Sequence, residues 1–330
     1  MSYSLEISFR PVNELINSLH TFLCKSWYKR IDLGPTWPQE VLTSLSPDFA
    51  DRLDKADIDQ EWKLLHLLEY VSPGQDCIED FLDWLKGLSL GELYEVLSPY
   101  VQTFPEDLRA VRDRLHGMLA EWNRAYFRHV DPGIIAALRS EAEEKPELQR
   151  LTAVEKAATL TNGFCFEPAK GLEKLVLIPQ FHFQPGNVIY SFGSLTLCYY
   201  TAGIEPRSDE DEPSLQLYRV LRSLSEKSRL RILHFLRDEP HTFIEVVRHL
   251  GISKGITHDH IFNLRCAGLL NAHVVGETVS AYSLRLDRIQ RIESELLEYL
   301  GIRPLTEASA VGNSSKAIAA EIITHYDQRP

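Results

Sequence analysis

The chain has 330 residues, 44% of them hydrophobic, enough to bury a sizeable core and to form two domains. Its formal charge of −12 excludes a generally basic nucleic-acid coat, although not a local basic patch. Cys24, Cys77, Cys165, Cys198 and Cys266 are odd in number and never spaced C-x-x-C, which argues against a disulfide scaffold or a zinc site.

The opening MSYSLEISFRPVNELINSLH has neither the basic flank nor the apolar run of a signal peptide. No apolar run approaches the roughly twenty residues that span a bilayer, so a cytoplasmic protein with no membrane partner is expected. Tyr3, Leu5, Ile7 and Phe9 alternate, predicting a short strand. Pro11 then opens a helix striped by Val12, Leu15, Ile16, Leu19, Phe22 and Leu23. To about Leu160 the pattern stays mainly helical, interrupted by LGPTWP, SPGQD, SPYVQTFPED and HVDPG. Trp62, Trp84, Trp122, Tyr126 and Phe127 fall inside these helices and read as an aromatic core, with an apolar ligand pocket as the sharper alternative.

Between Leu172 and Tyr200, β-branched and aromatic residues punctuated by Pro179 and Pro185-Gly186 predict two or three strands. His182 and Cys198 lie here without a partner at catalytic spacing and read as strand residues. TAGIEPRSDEDEPS then reads as a solvated acidic linker with a boundary near Pro213. The charge balance changes there. Up to Pro213 the chain has 34 acidic and 20 basic residues; from Ser214 to Leu300 it has 10 and 12, and six of the twelve histidines.

Leu215, Tyr218 and Leu221 stripe one short helix and Leu230, Leu233 and Leu236 a second, which Asp238-Glu-Pro ends. Thr242 and Glu245 form a capping box for a third; Gly251 stops it and Ser253 caps a fourth. Two helices joined across LGIS carry the helix-turn-helix signature. At roughly 100° per residue, Ile256, Ala267, His260, Leu264, Thr257 and Ile261 share an inward arc. His258, Phe262, Gly255 and Asp259 fall on the opposite face. His258 and His260 therefore point apart and cannot chelate one metal ion. Alternating runs around Gly276-Glu277 predict a β-hairpin, and DRIQRIESELLEYL a closing helix striped by Ile289, Ile292, Leu296 and Leu300.

The expected fold class is mainly α with small β elements. A helical domain at 1–200, with a β-hairpin segment and strands near 172–200, precedes an acidic linker at 201–213. A winged helix-turn-helix domain follows at 214–300, then a tail at 301–330 with room for one short helix.

LSEKSRLRILHFL, VVRHLGISKGITHDHIFNLRCAGLL and VSAYSL together resemble the ArsR family of winged-helix transcriptional regulators, over about Leu217 to Leu300. The resemblance implies a homodimer that places one recognition helix per subunit, about 253–267, in the major groove of double-stranded operator DNA. A repressor whose amino-terminal region senses an unknown small-molecule or protein effector is the expectation. Ser253 and the amides at that helix start suit a phosphate, with Gly255 beside them. Lys254 and His258 are expected on phosphates or base edges, Asp259 on cytosine N4 and Phe262 on a thymine methyl. Arg265 is either a phosphate contact or a surface residue. Tyr218, Leu221, Ile292 and Leu296 are the expected anchors of the dimer seam.

Many ArsR relatives sense metals. The family's cysteine box falls on TFIEV, where Thr242 and Ile244 occupy the thiol positions, and the closing helix offers Asp287, Glu293 and Glu295 but no histidine. His241, Glu245 and His249 share a four-residue spacing, but Glu245 is committed to the capping box. No metal or cofactor is expected. With no Gly-rich phosphate loop, H-E-x-x-H or G-x-S-x-G, no enzyme is expected either. Glu277 at the wing tip and Asp259 on the reading face would repel phosphate. They keep open an alternative: a sensor or adaptor that uses the module for dimerisation or protein binding.

Overall fold

In the computed structural model, which describes residues 3–302 except 75, 144, 170 and 206–210, the opening alternation forms β1 (Ser4–Ile7). Pro11, whose missing N–H costs nothing in a first turn, starts α1 (Pro11–Leu23). Every residue of α1 after Pro11 is buried, its polar face included. The stripe read from sequence is thus only half of what this helix hides.

Around α1 lie α2 (Trp37–Leu42), α3 (Pro47–Asp54), α4 (Gln60–Val71), α5 (Ile78–Gly87), α6 (Leu90–Leu97), α7 (Leu108–Ala125) and α8 (Pro132–Glu141). Ser46, Asp59, Ser89, Asp107 and Asp131 cap five of them, each side chain accepting a backbone N–H of the first turn. Trp62, Trp122, Phe49 and Phe81 are sealed in the core these helices make with α1.

After α9 (Ala153–Leu160) come β2 (Phe164–Phe166), β3 (Lys174–Gln180), β4 (Val188–Phe192) and β5 (Leu195–Thr201). One sheet has the order β1-β3-β5-β4: β1, β3 and β5 run parallel, and β4 forms an antiparallel hairpin with β5 through Gly193. Its central strands are buried on both faces, as parallel strands usually are. Val176, Ile178, Leu197 and Tyr199 join the helical core, while Leu175, Leu177, Cys198 and Tyr200 face a second cluster.

The winged helix follows: α10 (Leu215–Leu224), α11 (Lys227–Phe235), α12 (Phe243–Leu250), α13 (Lys254–Cys266), β6 (Leu270–Val275) and β7 (Thr278–Leu284). Its wing is not a bare hairpin. β2 pairs parallel with β6, so the sheet order is β2-β6-β7. The Ala272 N–H donates to the Gly163 carbonyl at 2.7 Å. Gly163 has φ 109°, and a Cβ there would meet the Leu270 carbonyl oxygen at 2.4 Å, so only glycine allows this approach. Ala272 and Val274 complete the second cluster, and packing therefore runs across residue 213.

The expected closing helix is broken at Arg291 into α14 (Leu286–Gln290) and α15 (Ile292–Tyr299). Packing separates residues 1–288 from residues 289 onward, and α15 belongs to the latter. The middle of the acidic linker and the tail expected to hold a short helix lie outside the described residues.

Candidate nucleic-acid interface

The helix-turn-helix is built by local signals. Thr242 and Glu245 make the capping box of α12, with the Thr242 N–H donating to the Glu245 carboxylate at 2.8 Å. Gly251 ends the helix in the left-handed conformation, φ 68°. The Ser253 hydroxyl then accepts the Ile256 N–H and starts α13.

The carboxy-terminal end of α13 is anchored. Thr257, Ile261, Leu264 and Cys266 are buried. Asn162 Nδ2 donates to the Cys266 carbonyl at 3.4 Å, and Gln216 Nε2 to the Ala267 carbonyl at 3.0 Å. Burial pushes the Cys266 thiol up, and its Sγ faces the Pro185 carbonyl. It is a packing residue, not a nucleophile.

The first turn is the opposite case. Ser253, Lys254, Gly255 and His258 are exposed, and nothing lies within 4 Å of a Cβ placed on Gly255. Ile256, assigned to the inward arc, is 52% exposed. The core takes up that arc from Thr257 through Ile261 and Leu264 to Ala267 and leaves the first turn uncovered. His258 points outward, edge-on to Phe243, whereas His260 is half-buried with Nδ1 3.7 Å from the Glu226 carboxylate.

Asp259 and Phe262, expected on a duplex, and Arg265, expected on a phosphate or at the surface, each touch the amino-terminal region. The Arg30 guanidinium bonds the Asp259 carboxylate at 2.8 Å and sits 5.0 Å above the Phe262 ring. Trp27 meets the same ring edge-on at 5.3 Å. Arg265 lies over Phe164 of β2 at 4.7 Å. At the wing tip, Glu277 pairs with Lys63 and accepts the Ser191 N–H at 2.6 Å. These partners are far off in sequence, and no helical wheel announces them. They also change the electrostatics. The two carboxylates expected to repel phosphate, Asp259 and Glu277, each carry a basic partner.

The expected dimer anchors Tyr218 and Leu221 are exposed on α10, and Ile292 and Leu296 are half-buried on α15. His241 and His249 each stack on Phe235, with ring centroids 4.0 and 4.1 Å away and near-parallel planes. Two such rings must occupy opposite faces of the phenyl group, which keeps their nitrogens too far apart for one ion. Among the described residues no cluster of three metal-ligating side chains occurs.

One constellation escaped the sequence reading. Glu14, fully buried in α1, accepts the His182 N–H at 2.9 Å and lies 2.5 Å from His182 Nδ1. His182 Nε2 is 2.9 Å from the Tyr126 hydroxyl, which accepts the Trp37 Nε1–H at 2.9 Å. The members lie up to 168 residues apart. The one signal available was the set of polar residues, Asn13, Glu14 and Asn17 in α1 and Gln180, His182 and Gln184 at and after the end of β3, interleaved with apolar ones.

Residues 226–272 match the family model of the bacterial regulatory protein, arsR family. The match spans α11, α12, α13 and the start of β6, and the winged helix is thus of the type found in DNA-binding transcriptional regulators. No curated protein and no solved structure matches the chain. No helix of the described residues is long and apolar enough to cross a membrane.

Proposed function

From the ArsR-type helix-turn-helix at 226–272, we propose that the chain is a homodimeric repressor. It reads operator DNA with the first turn of α13, and its amino-terminal region senses a small molecule or a protein. The observation that carries this reading is the contrast along α13. One end is locked into the fold, while Ser253, Lys254 and His258 stand in solvent at a helix N-terminus, where amides and dipole favour a phosphate. Arg30 and Lys63 support it by offsetting Asp259 and Glu277. Tyr218 and Leu221 supply exposed apolar area for the dimer seam.

Anisotropy titration with the DNA upstream of its own gene, at two salt concentrations, tests the proposal. Lys254→Ala is expected to weaken binding about tenfold and to lower the salt slope by about 1. His258→Ala is expected to weaken specific binding without that change in slope. Affinity no greater than for random DNA would favour a second reading, an adaptor that uses the winged helix for protein contacts. The engagement of Asp259, Phe262 and Glu277 by Arg30, Trp27 and Lys63 is what favours that alternative.

A further inference from the structure

A cavity of about 830 Å³ opens beside the buried Glu14–His182–Tyr126 chain, within the size range of small-molecule sites. Its walls are aromatic and acidic. Trp37 and Tyr126, edge-on to each other with centroids 5.9 Å apart, present ring surface, and Asp32, Glu40 and Asp131 contribute carboxylates. No lysine or arginine is among the residues that line it. The strongest donor of its floor, Trp37 Nε1, is already spent on Tyr126. An anion entering here would meet three carboxylates, and the cation at the edge, Arg219, is already paired with Asp32. A cation would meet opposite charge and two aromatic side chains. Burial pushes the Tyr126 hydroxyl up from its ordinary range, the Trp37 indole bond pulls it back, and the fields of Glu14 and Glu40 add to the rise.

The cavity also touches the winged helix. Leu215 of α10 lines it, and Arg219, one turn further along α10, pairs with Asp32 at its edge. Burial raises the Asp32 carboxyl, the Arg219 guanidinium pulls it back, and Glu205 nearby raises it again. A cation reaching Asp32 would compete with Arg219 for the same oxygens.

We propose that this cavity binds an organic cation with an apolar body, held by Asp32, Glu40 and Asp131 over Trp37 and Tyr126, and that occupancy reaches the winged helix through the Asp32–Arg219 pair. The second half rests on the regulator reading; the first does not.

Calorimetry on the full chain with two pairs of probes, matched in body and opposite in charge, tests the site. The pairs are tetraphenylphosphonium against tetraphenylborate, and phenethylammonium against phenylpropionate. At least one cation is expected to bind with one-to-one stoichiometry and to raise Tm, with its anionic partner silent. Glu40→Gln, which removes no contact that holds the fold, is expected to weaken that binding several-fold, and Asp32→Asn about tenfold. Equal binding of an anion, binding of neither cation, or affinity untouched by both variants overturns the site. Reporting is read separately, as the change in DNA affinity at saturating cation. The change is expected in the native chain and lost in Arg219→Ala. A cation that binds in the calorimeter and leaves measurable DNA binding unmoved overturns the coupling alone. No specific DNA binding with or without the cation means that the regulator reading has failed and the cavity has not.

Discussion

The helical region around α1 and the winged helix both bury an apolar core, but they differ in how many polar groups they bury with it. The first hides Asn13, Glu14, Asn17, His20, His66, Glu69, Gln180 and His182. The winged helix buries few polar groups, such as Ser223 and Thr257, and leaves Tyr218, Leu221, Leu230, Ile244 and Ile256 in solvent. In the first, Glu14 with His182 and Asn17 with Gln180 are hydrogen-bonded, whereas His66 makes no such bond, and buried hydrogen bonds of this kind make their surroundings rigid. The helical region exposes Leu42, Leu90 and Tyr94 on short helices as well, so exposed apolar side chains alone do not separate the two. The region with the cavity is thus the closed one, tied by buried polar groups, and the winged helix, with few of them, is the open one.

The sharpest way to break this comparison is to remove a network member. Glu14→Ala strands the Phe181 and His182 N–H groups and His182 Nδ1 in the interior. It is expected to cost about 3–5 kcal/mol in urea denaturation. Thr257→Val in α13 deletes only a hydroxyl bonded to the Ser253 carbonyl, and about 1 kcal/mol is expected. Equal costs would erase the distinction.

Acid titration sharpens it. Burial lowers His20 to about 4, and the Trp62 indole donates to its Nδ1 at 3.1 Å. The unfolded chain takes up a proton below its ordinary value of 6.5, whereas the folded chain resists until about 4. The contribution of His20 is therefore full above pH 6.5 and drains away as pH falls toward 4, by up to about 3 kcal/mol. His66 is lowered in the same direction by burial and by His20. Glu69 runs the other way. Burial outweighs Arg10 and lifts it from 4.5 to about 7, so its contribution is full below pH 4.5 and is lost as pH rises to 7. His20→Phe should flatten the loss of Tm between pH 6.5 and 4, and Glu69→Gln should steepen it. Unchanged slopes would mean that neither group is held as described.

Smaller effects probe the open region. Thr242→Ala removes the capping box and is expected to cost about 1 kcal/mol in thermal unfolding. Tyr218→Glu with Leu221→Glu should change monomer stability by less than about 0.5 kcal/mol while abolishing the dimer in sedimentation. A dimer that survives moves the seam away from α10.

What could be read from sequence follows the range of each interaction. Pro11, the Thr242–Glu245 box, Gly251, Ser253 and Gly276-Glu277 act within about one helical turn, and their elements stand where local pattern puts them. Ile256 shows the limit of a helical wheel, which gives a face but not where along the helix its neighbours stop: Ala267, at nearly the same angle, is sealed, and Ile256 in the first turn is not. The stripe from Ile289 to Leu300 likewise runs through the break at Arg291 without registering it. Phe164-Cys165-Phe166 is too short to read as a strand, and its partner lies about a hundred residues on. Arg30 finds Asp259 across 229 positions, and nothing local encodes that pairing. The chemistry of the cavity was unreadable for the same reason, since its walls come from α2, the end of α7 and the turn at Phe181-His182.

The strand that β2 lends to the wing has a consequence for how such a module is inherited. A gene rearrangement that carried off residues 214–288 alone would leave β6 with a raw flank where the Ala272 amide and the Val274 carbonyl now meet Gly163 and Glu167. Such flanks seek another chain. Reader and preceding segment must therefore travel together, and shuffling this head onto a foreign body should give aggregates unless a strand equivalent to Phe164–Phe166 comes with it.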